Sequence, residues 1–243
     1  MSLVCPSAIA ALDASLCVPV DHYCERTSAA IDAEPVNALT NVAFLLAAWA
    51  AWRLRSKQEN PAADGWMDVL IATMAVVGAG SFLFHTIATR WAEWGDVIPI
   101  LVFVVLYLWL FLRRFIGWSF WPTFVALSLF LALTLYAEAR VPAEVLWGGA
   151  MYLPTLLAIA AMSAGLHRQL PDAGTAMIVA AGVFIFSFAA RTLDMEICSV
   201  FPLGTHFLWH LLNALLLYLL VRLAIINPPK RHPVLPHSAL QVR

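Results

Sequence analysis

The feature that most constrains this chain is a succession of seven apolar runs, each close to the roughly 20 residues that a helix needs to cross a bilayer core. They lie at 36–54, 66–88, 95–113, 119–137, 144–166, 174–192 and 205–226. Between them stand RSKQENPAADG, RWAEWG, RRFIG, EARVPAE, HRQLPDAG and MEICSVFPLG, whose proline, glycine and charge read as loops. Connections this short make consecutive helices antiparallel neighbours in one bundle. Composition points the same way: 62% of residues are hydrophobic, 12% are charged and the mean hydropathy is +0.82, outside the make-up of soluble domains. The predicted fold is all-α, an integral membrane seven-transmembrane-helix bundle. It divides into an N-terminal segment (1–35), a transmembrane domain (36–226) and a tail (227–243), with no internal repeat.

Charge sets the expected orientation. With seven spans, one side collects Arg53, Arg55, Lys57, Arg113, Arg114, Arg168, Arg222, Lys230, Arg231 and Arg243, against Arg26, Arg90, Arg140 and Arg191 on the other. The positive-inside rule then puts the C-terminus in the cytoplasm and the N-terminus outside or in a lumen. The four cysteines, Cys5, Cys17, Cys24 and Cys198, all fall on the outer side, where disulfides persist. Four cysteines allow three pairings, and the residues alone do not choose among them. The N-terminus lacks a basic n-region and carries Asp13 and Asp21, so it does not read as a cleavable signal peptide. A net charge of −1 without a basic block argues against nucleic acid as a partner. High alanine content and short loops suggest a bacterial inner (plasma) membrane protein.

Ionisable groups inside a membrane are costly and default to functional hypotheses. Given the topology, Ser81 and His85 lie near the outer end of the second helix and Asp96 near the outer start of the third. His206 and His210 lie near the outer start of the seventh. Residues i and i+4 of a helix are about 40° apart around the axis and about 6 Å along it, so both imidazoles can reach one ion. A third histidine at the same depth makes a three-His site with a fourth position open, the arrangement of catalytic zinc. His167, His232 and His237 read as solvated, and Arg191 and Asp194 as an ion pair near the site. Tryptophans near span ends fit an interfacial belt. The only lysines, Lys57 and Lys230, lie outside the spans, which excludes a rhodopsin-type Schiff base.

Ser81-Phe-Leu-Phe-His85, Asp96 in a D-x-x-P context, and His206-Phe-Leu-Trp-His210 resemble the S-x3-H, D and H-x3-H motifs of alkaline ceramidases. These belong to a superfamily of seven-helix membrane hydrolases that includes the adiponectin-type receptors. The run from Cys24 to Asn41 and Asp194-x3-Cys198 are similar to two further family segments, so the resemblance extends from about Asp21 to about Arg222. It implies zinc on His85, His206 and His210, with Asp96 and Ser81 catalytic. It also implies calcium in the N-terminal segment, with Asp21, Glu25, Thr27 and Glu34 as the matching residues. The spacing departs from the family's at two points, with one extra residue before Cys24-Glu25 and two fewer between Glu25 and Glu34. Finally, the resemblance selects Cys24–Cys198 and leaves Cys5–Cys17 as the second pair.

The implied activity is zinc-dependent hydrolysis of the N-acyl bond of a membrane lipid: ceramide, giving a sphingoid base and a fatty acid, or another N-acyl lipid. A receptor or sensor of the same superfamily is the alternative, separated by measured turnover. A haem carrier is disfavoured because His206 and His210 share one helix face and cannot be opposite axial ligands. Oligomeric state is not legible.

Overall fold

A computed structural model describes residues 5–58 and 65–227; most of the expected tail, with His232 and His237, lies outside the described residues. Seven helices are long and apolar enough to cross a membrane: α1 Pro35–Arg55, α2 Gly65–Ile87, α3 Arg90–Ile116, α4 Phe120–Arg140, α5 Ala150–Arg168, α6 Pro171–Leu193 and α7 His206–Ile226. In hydrocarbon every backbone N–H and C=O must be paired within the chain, which makes a helix the default for each run. Their apolar residues are spread all round rather than along one stripe, so one side packs inward while Leu46, Trp121, Leu135 and Phe186 remain on the outside, where lipid suits them.

Each helix packs on the next in sequence, and α7 closes the ring against α1, α2 and α6. It is accordingly the most buried of the seven. One continuous apolar core runs through the bundle, built from residues such as Phe44, Met74, Phe103, Met177 and Val221. A second, small cluster of Val20, Tyr23, Phe84 and Ala92 fixes the N-terminal segment on the ends of α2 and α3.

Several boundaries differ from the sequence reading, two of them by five residues or more. The stretch RWAEWG is not a loop, because α3 already begins at Arg90; its polar first turn dilutes the apolar signal. The fifth span starts at Ala150 rather than 144, after a separate turn of helix at Ala143–Leu146. Positive φ at Trp147 (47°) and Gly148 (70°) breaks the chain between them, since neither can continue a right-handed helix.

The α2–α3 connection is therefore only Ala88 and Thr89. Ala88 has φ 45°, unusual for a residue with a Cβ, and an external clamp holds it there. Val20 N–H donates to Ala88 O at 2.9 Å and Arg90 N–H to Val18 O at 3.1 Å, with Pro19 bridging Thr89. Disulfides Cys5–Cys17 and Cys24–Cys198 secure the segment further, the second joining it to the α6–α7 connection.

Candidate metal centre

Two helix ends meet beneath this N-terminal cover. His85 comes from the last turn of α2, and His206 and His210 from the first turns of α7. All three are buried, at 0%, 1% and 1% exposure. One ring nitrogen from each lies within 4.8 Å of the others. The centroids are 5.1 Å apart for His85–His206, 4.7 Å for His85–His210 and 4.6 Å for His206–His210.

Their hydrogen bonds show which nitrogens remain to bind an ion. The Thr40 hydroxyl donates its proton to Val36 O at 2.8 Å, so at His210 Nδ1, 2.9 Å away, it accepts. Nδ1 of His210 therefore carries hydrogen and Nε2 keeps its lone pair. His85 Nδ1 donates to Glu34 Oε2 at 2.6 Å, leaving its Nε2 in the same state. His85 Nε2, His210 Nε2 and His206 Nδ1 are buried without a hydrogen-bond partner. Buried polar atoms are nearly always paired, and three orphans converging on one point fit a metal ion. A carboxylate behind a ligating histidine is also the usual support of such a site. Burial pushes the Glu34 carboxyl up, but the hydrogen bond from His85, followed by the hydrogen bond and charge of Arg26, outweighs it and holds Glu34 below the usual carboxylate range.

α7 is aimed by Asp194. Its carboxylate accepts from the backbone N–H groups of Thr205 at 2.6 Å, His206 at 2.8 Å and Cys24 at 2.9 Å. This satisfies donors that a helix N-terminus leaves open and sets negative charge against the positive end of the helix dipole. Gly204, at φ 67°, gives the carboxylate room, since a Cβ there would meet Asp194 Oδ1 and Cys24 Cβ. The expected Arg191–Asp194 ion pair is not formed. Arg191 instead donates to Trp147 O at 2.9 Å and lies over the rings of Tyr152 and Trp209; three amide donors already occupy Asp194.

Ser81 and Asp96 meet across a close contact of α2 and α3. A Cβ on Gly80 would run into the carbonyl oxygen and carbon of Gly95, so only glycine allows the approach. The carbonyl of Gly95 is spare because Pro99, inside α3, has no N–H to offer it. The Ser81 hydroxyl thereby stands beside Asp96 as a hydrogen-bond donor. Asp96 Oδ1 is enclosed without a direct hydrogen-bond partner.

The residues matched to calcium do not gather round a common point. The Glu25 carboxylate accepts from Val36 N–H at 2.7 Å and Asn37 N–H at 2.8 Å, capping α1. Thr27 is exposed. Glu34 is engaged by Arg26, Asn37 and His85. Asp21 is also exposed, and partial burial followed by the Glu34 charge pushes its carboxyl up. Among the described residues only the three histidines form a group of metal-ligating side chains.

A matching family model covers residues 21–229 and is that of the ceramidases. The chain belongs to the ceramidase family. A comparison with curated proteins returns no match. Ceramidase membership carries amide-hydrolase chemistry and a lipid substrate in a membrane, both compatible with the histidine cluster and the seven spans. The bundle also holds a largely apolar cavity. Its lining includes Phe44, Val77, Phe103, Tyr152, Asn213 and Leu217, with about 650 Å³ free of protein atoms, mouth included. Val77 is one turn from Ser81 on α2 and Asn213 nearly one turn from His210 on α7, so the cavity adjoins the histidines and leads away from the N-terminal cover.

Several supporting residues were not singled out from sequence. Tyr23 stacks on His206 with centroids 3.5 Å apart, and burial pushes its phenol up. Thr40 and Arg26 also act on the histidines through contacts that no local pattern announces.

Proposed function

We propose that this ceramidase-family chain is a zinc-dependent intramembrane amidase that cleaves the N-acyl bond of a membrane lipid, ceramide or another N-acyl lipid, to an amine and a free fatty acid. The observation that carries this reading is the convergence of three unpartnered imidazole nitrogens beside an apolar cavity inside the bundle. His85, His206 and His210 would hold the ion. Three neutral imidazoles leaving one position open are the ligand set of hydrolytic zinc, which supplies Lewis acidity by acidifying water and polarising a carbonyl.

The chain's own groups do the rest. Asp96 holds a carboxylate oxygen free to take the proton of the attacking water and pass it to the departing amine. The Ser81 hydroxyl, beside Asp96 before substrate binds, would turn its single proton to the charge that develops on the carbonyl oxygen. Tyr23 and the N-terminal cover shield the centre from bulk water, while the cavity receives an acyl chain. The same reading places the N-terminal segment (1–35) outside, the transmembrane domain (36–226) in a bacterial inner membrane and the tail (227–243) in the cytoplasm.

The test is a turnover screen of the purified protein over ceramides and other N-acyl lipids, with His206→Ala as the control. Fatty acid should be released by the wild type alone. Ligand-dependent recruitment of a partner without turnover on any lipid would favour a receptor instead.

A further inference from the structure

The N-terminal segment contains a buried guanidinium. Arg26 is 7% exposed, and a buried arginine persists only if its N–H donors are satisfied and its charge is paired. Nε donates to Glu34 Oε1. Nη1 reaches Ser28 O at 3.1 Å and Ala30 O at 3.3 Å, and Nη2 reaches His85 O at 3.0 Å. The cradle is thus one carboxylate and three backbone carbonyls, drawn from the N-terminal segment and the end of α2. Carboxylate and carbonyl oxygens are also what a calcium ion takes.

Calcium, which the family resemblance implies for this segment, does not fit here. Of the four matching side chains, Glu25 is committed to the start of α1, Asp21 and Thr27 are exposed, and Glu34 already faces Arg26. A dication brought to Glu34 would meet the positive guanidinium of Arg26 already paired with it. We infer that Arg26 is the resident cation of this segment, filling with its guanidinium the role of calcium and positioning the metal centre through Glu34 and His85. Glu34 presents Oε1 to Arg26 and Oε2 to His85 Nδ1. Arg26 also grips the His85 carbonyl, so one side chain fixes both the backbone of the ligand and the carboxylate behind its ring. Unlike an exchangeable ion, it makes assembly independent of calcium concentration.

The inference rests on the proposed function for the identity of the ion at the histidines, and its test keeps the two apart. Full-length, zinc-loaded protein in detergent is titrated with calcium chloride in calcium-stripped buffer, reading melting temperature and binding of radiolabelled calcium. The wild type should show no rise in melting temperature and no stoichiometric binding. Arg26→Gln should weaken zinc affinity about tenfold or more, as loss of an outer-shell support does. Arg26→Lys, which keeps charge but not the planar fork, should recover part of it. Stoichiometric calcium binding with a higher melting temperature, or wild-type zinc affinity in Arg26→Gln, would overturn the inference. If Arg26→Gln does not fold, the wild-type titration decides alone. Calcium binding with zinc and turnover intact would remove the resident-cation role and leave the amidase reading standing; absent zinc and turnover would do the reverse.

Discussion

The carboxylate of Asp194 accepts the backbone N–H of His206 at 2.8 Å, across twelve residues of sequence. The residue at the end of α6 therefore sets the position of the first histidine on α7. Because the same carboxylate also holds Thr205 and Cys24, Asp194→Ala strands three backbone donors at once. Loss of a helix N-cap costs about 1 kcal/mol, and each buried donor left unpaired about 1–3 kcal/mol. Thermal melts should show Asp194→Ala destabilised by at least ~2 kcal/mol, with zinc content reduced. Asp194→Asn, which keeps one acceptor oxygen, should fall between it and the wild type.

Asp96 and Ser81 separate chemistry from assembly, because neither is needed to hold the three histidines. Asp96→Asn should lower kcat by about 10²–10⁴-fold, the usual scale for a general base, with zinc content unchanged. Ser81→Ala should lose less, because Asp96 remains. Metal analysis beside the kinetics checks both, and loss of zinc in Asp96→Asn would contradict the assignment.

Gly80 tests the approach of α2 to α3. Gly80→Ala drives a methyl against the Gly95 carbonyl; overpacking of this kind costs typically ~1–3 kcal/mol. The sharper expectation concerns activity, since the helices must part and carry Ser81 from Asp96. Gly182, where a Cβ meets nothing within 4 Å, is the control: Gly182→Ala should leave turnover unchanged and stability equal or higher by up to about 1 kcal/mol.

The Cys24–Cys198 disulfide closes a sequence separation of 174 residues. Chain-entropy arguments give about 5 kcal/mol for loops of that size, but here the helices within the loop stay inserted when the tie is cut. Cys24→Ser is accordingly expected to cost nearer ~2 kcal/mol. It should loosen the N-terminal cover before it unfolds the bundle, visible as faster proteolysis of the segment preceding α1 at temperatures where helicity is unchanged.

The seven-helix fold was legible because hydrocarbon imposes one rule on every span, and a run such as 66–88 can satisfy it only as a helix. Boundaries were less so: the first turn of α3 is polar, and its helicity depends on the N-terminal clamp at Ala88 and Thr89. The histidines could be gathered from depth alone, since α2 and α7 each place theirs near the same face of the membrane. Their supports could not. Thr40 and Glu34 reach His210 and His85 across 170 and 51 residues, and nothing in their local sequence marks them. Nothing in the local sequence marks Arg26 as the partner of Glu34, and the calcium expected for this segment came from the family resemblance alone.

The most direct test of the central claim is quantitative metal analysis of the purified wild type beside His85→Ala, His206→Ala and His210→Ala. The account predicts one zinc per wild-type chain, and loss of zinc together with turnover in each variant. A wild type that turns over N-acyl lipid without metal, or a histidine variant that keeps both zinc and activity, would contradict it.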